Sequence, residues 1–420
     1  MNIFVQTTFN FLDELYDQVL EVIDNCTEAF YNNSYPIIGI ESNNGGGIIE
    51  VSLYLQQFLQ VKILQRTHFS TKISNLIKEE MEKDMTDIIN LETCTQFNNF
   101  DEMKEIIDNY GKDEQGKDIE HHRTKIFELF NKTLLKEHKE KRKKYFENFQ
   151  LKKPTEIMIF TDSFSYSSTS FFIKGLQETG GAILVGYKGN PKSKEFFEAS
   201  HSPSAVSNFN GTEIYDNLIN AGFEIIGTTY FESYNYSYQE RNPTPREYLT
   251  HEVDERVNIY QNYDDSIYQQ FIDEAKKIFE KYNDKKECNP KNKKLLFDPN
   301  NNKECYIFKE DEHAHGGYLC NNETKQWSDT CVPYYCDIGY YFDTYKNKCI
   351  KDHCTEEDKK DEGEEDDVFP VWAIIIIIIG IIFIIIVAIV IIKIVLKKKE
   401  QTAPTGALID STRITEADPQ

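Results

Sequence analysis

An uninterrupted apolar stretch near the C-terminus limits how this chain can be organised. Residues 371–392 form a run of 22 apolar residues dominated by isoleucine. A helix of that length spans about 30 Å of membrane hydrocarbon at roughly 1.5 Å per residue. Phe369 and Trp372 mark one end of the run, and Lys393 begins a lysine-rich segment at the other. The aromatic and positive-inside rules therefore predict one transmembrane helix over residues 369–392, with the N-terminal part outside the cytosol.

Cysteines are concentrated ahead of that helix. Of the nine cysteines, seven lie between Cys288 and Cys354, in a segment with few apolar residues. Such clustering predicts a disulfide framework in an oxidising compartment, so residues 285–355 are assigned to an extracellular or lumenal cysteine-rich segment. Zinc binding is the alternative, but no Cys-x2-Cys pair occurs. Glycosylation sequons agree with a lumenal placement and begin at Asn25, Asn32, Asn131, Asn210, Asn235 and Asn322.

The charge of the chain is strongly acidic. The formal net charge is -23, which argues against a nucleic-acid partner because phosphate binding needs clustered lysine and arginine. Much of the acidity lies in residues 356–368, which are predicted to be a solvated linker between the cysteines and the membrane helix. Residues 393–420 are then the cytoplasmic tail. No metal site and no cofactor are predicted.

The N-terminus conflicts with this topology. The first residues carry neither a basic region nor a long apolar region, so they are not a signal peptide. We expect either that a segment with a signal peptide belongs upstream of Met1 or that the chain is a degenerate paralogue. The alternative is a cytosolic protein held by its C-terminal helix.

Residues 1–284 alternate between apolar strands and helical segments. Strands are predicted at 2–7, 36–40, 156–160 and 182–186, with a strand-like segment at 223–230, and helices at 10–31, 48–59, 168–179, 214–220 and 267–282. This alternation predicts an α/β domain with a largely parallel sheet. Residues 63–150 are polar and are assigned to a variable insertion that ends in a charged helix over 125–149.

Two strand-to-helix turns carry the chemistry. In the glycine turn, residues 41–47, three glycines precede a helix and leave backbone N–H groups uncovered, which suits an anion or an oxyanion. In the serine turn, residues 161–170, a hydroxyl can be presented at the carboxyl edge of the sheet and at the positive end of a helix dipole. A tight structural turn and a serine-rich N-cap are the respective alternatives.

Taken together and in this order, the two turns resemble those of the tail-specific, or C-terminal processing, serine peptidases. That family carries an Asn-x-Gly-Gly turn after one strand and a serine-rich turn after a later strand. The second turn is followed by a helix, an acidic residue with glycine, and an apolar strand closing with Val-Gly, as in residues 165–186 here. The resemblance covers roughly residues 2–260. It implies a crotonase-like peptidase core, followed here by the disulfide-rich segment and the transmembrane helix.

The resemblance assigns the family's nucleophile to Ser167. It also implies an oxyanion hole formed by the backbone N–H groups of Gly46 and Ser168, which agrees with two turns lying at neighbouring strand ends. We therefore expect both turns at the same end of one sheet, with Gly46 within about 15 Å of Ser167, because oxyanion donors lie about 3 Å from the oxyanion.

The general base is less clearly matched. One branch of the family uses a lysine some 25 residues after the serine, which is the position of Lys192. Another branch uses a histidine far upstream of the glycine turn and a downstream glutamate, for which Glu247 is the candidate. A solvated lysine is the alternative for Lys192, and His201 is the nearest histidine after the serine turn.

The expected function is that of a membrane-tethered serine endopeptidase that cleaves protein or peptide substrates through an acyl-enzyme on Ser167. Its other partner would be membrane lipid, through one helix. The alternative is a catalytically inactive ectodomain that acts in binding or adhesion at the cell surface. Because no convincing base accompanies Ser167, we expect the chain alone to be weakly active or inactive.

Overall fold

The structure, a computed structural model, describes residues 2–6, 16–59, 67–91, 93–129, 140–141, 143–145, 147–149, 151–203, 213–223, 230–234, 244–259, 266–282, 313–321, 324, 326–337, 340–343 and 348–351. The chain divides into two units, Met1–Glu356 and Glu357–Gln420. The second unit, which contains the predicted membrane helix and tail, lies outside the described residues. Among the helices that are described, none is both long and apolar enough to cross a membrane.

The described strands and helices follow the chain in this order. The strands are β1 Asn2–Gln6, β2 Ile37–Glu41, β3 His68–Thr71, β4 Ile88–Ile89, β5 Glu105–Lys112, β6 Asp118–Thr124, β7 Phe127–Leu129, β8 Ile157–Thr161, β9 Ile183–Gly186, β10 Phe231–Ser233, β11 Glu255–Arg256, β12 Ala314–Asn321, β13 Gln326–Cys336, β14 Tyr340–Asp343 and β15 Lys348–Lys351. The helices are α1 Tyr16–Tyr31, α2 Ile49–Leu59, α3 Asn75–Met81, α4 Ser167–Glu178, α5 Glu213–Asn220 and α6 Ser266–Tyr282.

A parallel sheet in the order β1-β2-β8-β9-β11 forms the centre of the α/β part. Its inner strands are apolar at nearly every position because both faces are covered. On one face, Ile37 and Ile159 join a cluster that includes residues of α1, α2 and α4. On the other face, Ile38 and Phe160 join residues of α6. The predicted α/β fold with a parallel sheet is confirmed.

A second, antiparallel sheet has the order β10-β3-β7-β4. Its apolar cluster includes Phe69 and Phe127, both without exposed surface, and Phe171 of α4. Most of this sheet comes from the residues assigned to a variable insertion. The charged helix predicted from residue 125 onward is therefore wrong at its start, because burial of Phe127 against this cluster draws the segment into β7.

The cysteine-rich segment contains two antiparallel hairpins, β12–β13 and β14–β15. A disulfide joins Cys336 to Cys349 across 13 residues. Cys94 and Cys331 are also disulfide-bonded, whereas Cys26 is free and exposed. Within the residues that the structure describes, no group of three or more metal-ligating side chains is placed to hold a metal ion.

Candidate functional site

The glycine turn and the serine turn meet at one edge of the parallel sheet. β2 and β8 are neighbours, with Glu41 paired to Thr161 at their carboxyl ends, so the segments that follow emerge side by side. The Tyr166 N–H donates to the Asn44 carbonyl oxygen at 3.1 Å. A Cβ built on Gly46 would lie 2.7 Å from the Ser167 Cβ. The predicted proximity of the two turns is confirmed.

Ser167 is the first residue of α4 and is held in a left-handed conformation. Its φ is 51°, and its N–H donates to the Ser202 carbonyl oxygen at 2.9 Å. Of the five described non-glycine residues with positive φ, Asn43, Ser163 and Ser167 lie in the two turns. Such conformations cost of order 1–3 kcal/mol each and cluster at functional sites. The N-cap of α4 is Tyr166, which makes no side-chain cap, so helix capping does not explain the serines.

The two predicted oxyanion donors differ in their partners. The Ser168 N–H, close to the Gly46 backbone, has no acceptor among the described residues. The Gly46 N–H instead donates to the Asn44 Oδ1 at 3.0 Å. The helix start thus offers Ser168 as a donor, whereas the Gly46 N–H must leave the Asn44 side chain before it can serve an oxyanion.

Lys192, the candidate base, lies in an exposed turn. Its own N–H donates to the Asn190 Oδ1, and no described contact joins its side chain to Ser167. The lysine that reaches the serine turn is Lys188, four residues earlier. Its Nζ lies 3.0 Å from the Asp162 Oδ2 and 5.2 Å from the centre of the Phe164 ring. A spacing of 25 residues therefore does not bring Lys192 to the site.

Glu247, the candidate acid, is bound to the second sheet. Its carboxylate accepts the Ser233 N–H at 3.0 Å and the Ser233 hydroxyl at 3.0 Å. This pairing ties the short helix Arg246–Tyr248 to β10. These hydrogen bonds give the Glu247 carboxylate a structural role in holding β10.

His201 is the histidine that the fold brings beside the serine turn. Its N–H donates to the Ser165 carbonyl oxygen at 2.8 Å. Its ring stacks on Tyr166 with centroids 4.6 Å apart and planes 7° from parallel. No spacing motif marked this residue strongly, because the pairing of residues 201–202 with the serine turn is a tertiary contact.

Two buried carboxyl groups at the strand ends escaped the sequence analysis. Glu41 closes β2 with no exposed surface, and Asp162 follows β8 with a fully buried side chain. A signal was present in the sequence, since Glu41 directly follows Ile40 at the end of an apolar strand, and only Thr161 separates Asp162 from the apolar residues of β8. Glu41 begins the glycine turn, and Asp162 lies at the start of the serine turn that holds Ser167.

The fold and the site together define an α/β protein with a strained serine at a helix start, facing a glycine turn on the carboxyl edge of a parallel sheet. This is the edge at which α/β proteins bind ligands. In comparisons with known proteins, no family model matches the chain, and no curated protein matches it.

Proposed function

We propose that this chain is a serine-type endopeptidase with a crotonase-like core of the tail-specific kind. The observation that carries the proposal is the conformation of Ser167, held with positive φ at the start of α4 and packed against Gly46. A serine so placed meets the positive end of a helix dipole. It also has beside it, as an oxyanion donor, the Ser168 N–H, which has no acceptor among the described residues.

The reaction would proceed through an acyl-enzyme. The Ser167 hydroxyl attacks the peptide carbonyl carbon, the Ser168 N–H stabilises the oxyanion, and the C–N bond breaks as the amine leaves with the serine proton. Water then attacks the ester, which releases the carboxylic acid and restores the Ser167 hydroxyl. No general base is assigned to the step in which Ser167 loses its proton, because no described contact joins Lys192 or Glu247 to Ser167. We therefore expect slow acylation of Ser167.

Labelling by a fluorophosphonate probe tests the proposal, because the probe reacts only with an activated serine. The full chain should be labelled, and Ser167→Ala should abolish the label. Ser163→Ala is the matched control, since Ser163 lies in the same turn with a φ of 72°. Labelling that survives in Ser167→Ala, or is lost equally in Ser163→Ala, contradicts the assignment of Ser167.

A second function is favoured by the partners of the candidate base and acid. Lys192 is turned to solvent, and the Glu247 carboxylate is taken by Ser233. A protein with this arrangement can bind peptides at the glycine turn without cutting them. Absence of fluorophosphonate labelling, in a chain whose circular dichroism shows it folded, supports this inactive ectodomain.

We also propose that a single membrane helix over residues 369–392 tethers the protein, with the cysteine-rich segment outside the cytosol. The Cys336–Cys349 disulfide supports an oxidising compartment. Treatment of the expressed protein with a glycosidase should shift its mobility. A protein without glycans and with all thiols open to alkylation would instead be cytosolic.

A further inference from the structure

Glu41 is the one charged residue of β2, and the apolar pattern of the strand does not explain why it is buried there. It follows three buried isoleucines and has no exposed surface. Its Oε2 accepts the Asn44 Nδ2 at 2.9 Å, and its Oε1 has no partner among the described residues. A buried charged oxygen without a donor is costly, so this environment favours the neutral acid.

The neighbouring carboxyl group shows the contrast. Asp162 accepts the Asn43 N–H at 2.9 Å, the Phe164 N–H at 3.0 Å and the Lys188 Nζ at 3.0 Å. Its charge is compensated, whereas that of Glu41 would not be. Burial raises the pKa of Glu41 well above its ordinary value. The hydrogen bond from Asn44 works in the opposite direction, and the charge of Asp162 adds to the rise.

Asn44 transmits the position of Glu41 to the glycine turn. It is fully buried, and its amide spans two partners, with Nδ2 facing Glu41 and Oδ1 accepting the Gly46 N–H at 3.0 Å. Because Glu41 offers an acceptor, the Asn44 amide is held with its oxygen toward Gly46. Gly46, at a φ of 100°, then packs on Ser167.

We propose that Glu41 is a positioning residue whose protonated carboxyl group orients Asn44 and so fixes Gly46 against Ser167. The inference rests on the proposed function for its effect on reaction rate, but not for its effect on the turn itself. The charged and titratable groups around Glu41 are Asp162 and its partner Lys188, and Tyr187, whose hydroxyl donates to the Glu41 carbonyl oxygen at 3.5 Å.

The pH dependence follows from the raised pKa. A raised acid pKa means that the neutral form is present at lower pH and is lost as pH rises through the folded-state value. Ionisation then buries a second carboxylate beside Asp162, which loosens the glycine turn. Glu41→Gln keeps an oxygen acceptor for Asn44 and cannot ionise. Glu41→Leu removes the acceptor and replaces the carboxyl group with an apolar side chain.

The experiment compares these two variants of the full chain with the wild type and with Ser167→Ala. In the wild type we expect the rate of fluorophosphonate labelling to fall as pH rises, an alkaline decline caused by ionisation of Glu41. Glu41→Gln should react at a rate close to that of the wild type and should lack this alkaline decline. Glu41→Leu should react about tenfold more slowly, the size expected when a buried amide loses its partner. Hydrogen exchange of residues 42–47 should accelerate in Glu41→Leu and remain as in the wild type in Glu41→Gln.

Fluorophosphonate labelling and hydrogen exchange distinguish a failure of the proposed function from a failure of the role of Glu41. If no protein is labelled at any pH, the proposed function fails, and hydrogen exchange still decides the role of Glu41. Unchanged exchange in Glu41→Leu overturns the positioning role whatever the labelling shows. An alkaline decline that persists in Glu41→Gln overturns the link to the protonation of Glu41, and Glu41→Leu labelled at the wild-type rate overturns the link to Ser167.

Discussion

Two adjacent glycines give a matched test of the packing at the site. Gly46 has a φ of 100°, and a Cβ added there would meet the Ser167 Cβ at 2.7 Å and the Tyr166 carbonyl oxygen at 2.8 Å. Gly45 has no atom within 4 Å of such a Cβ. Gly46→Ala and Gly45→Ala therefore add the same methyl group one residue apart, with opposite expected effects.

Two effects contribute to the loss in the free energy of unfolding that we expect for Gly46→Ala. A side chain in a left-handed conformation costs about 1–2 kcal/mol. Forcing a methyl group into a packed contact costs about 1–3 kcal/mol, and here the neighbours are a Cβ and a backbone oxygen that cannot rotate away. The expected loss in the free energy of unfolding is about 2–5 kcal/mol. Gly45→Ala should be neutral or should stabilise by up to about 1 kcal/mol, because alanine restricts the unfolded chain.

Urea unfolding followed by far-UV circular dichroism measures both variants, since residues 1–284 contain no tryptophan. Fluorophosphonate labelling of Gly46→Ala should also fall, because the displaced serine turn carries Ser167. Equal urea midpoints for the two variants, with equal labelling, would refute the contact between Gly46 and Ser167.

Three further changes test other parts of the fold. Glu178→Gln should destabilise by about 3–5 kcal/mol at pH 7 because it leaves the buried Arg246 without a counter-charge. Burial alone would raise the pKa of Glu178, but Arg246 and the hydrogen bond with His251 lower it to about 2. The stabilisation by the ionised Glu178 should therefore be lost as pH falls from about 4 toward 2, which urea unfolding at each pH measures. Cys336→Ser should lower the stability of the cysteine-rich segment by about 3 kcal/mol, measured as its melting temperature with and without reductant. Gly175→Ala should destabilise rather than stabilise α4 in thermal unfolding, because the Cβ would meet the Gln56 amide at 2.6 Å, and a melting temperature equal to that of the wild type would contradict that contact.

The central sheet could be predicted because its sequence signal is local. Runs such as Ile37–Glu41 and Ile157–Thr161 are apolar and flanked by helical periodicity, which indicates buried parallel strands. The second sheet could not be predicted in this way. Its strands β3, β4 and β7 are short and lie among polar residues. β3 pairs with the distant β10 and with β7, which in turn pairs with β4, so their burial depends on tertiary contacts.

At the site, sequence located the two turns and not the groups that support them. The glycines and serines can be recognised in the sequence because a strand-to-helix turn favours these residue types. Lys192 was placed by spacing alone, and the exposed turn that carries it shows why spacing is a weak guide. Glu41 and Lys188 act through contacts with Asn44 and Asp162, and such contacts between strand ends appear only once the strands are paired.

The conformation of Ser167 bears most directly on the choice between a peptidase and a binding protein. Asn43, Ser163 and Ser167 each hold a positive φ within two turns that touch, and the strain would relax if nothing opposed it. The opposing contacts come from three directions: the Asn44 carbonyl oxygen, the Ser202 carbonyl oxygen and the close approach of Gly46. Because α4 begins without a side-chain cap, the Ser202 carbonyl oxygen also serves the uncovered N–H at the helix start. The strained conformation of Ser167 supports the proposed nucleophile, and among the described residues no side-chain contact joins a base to it.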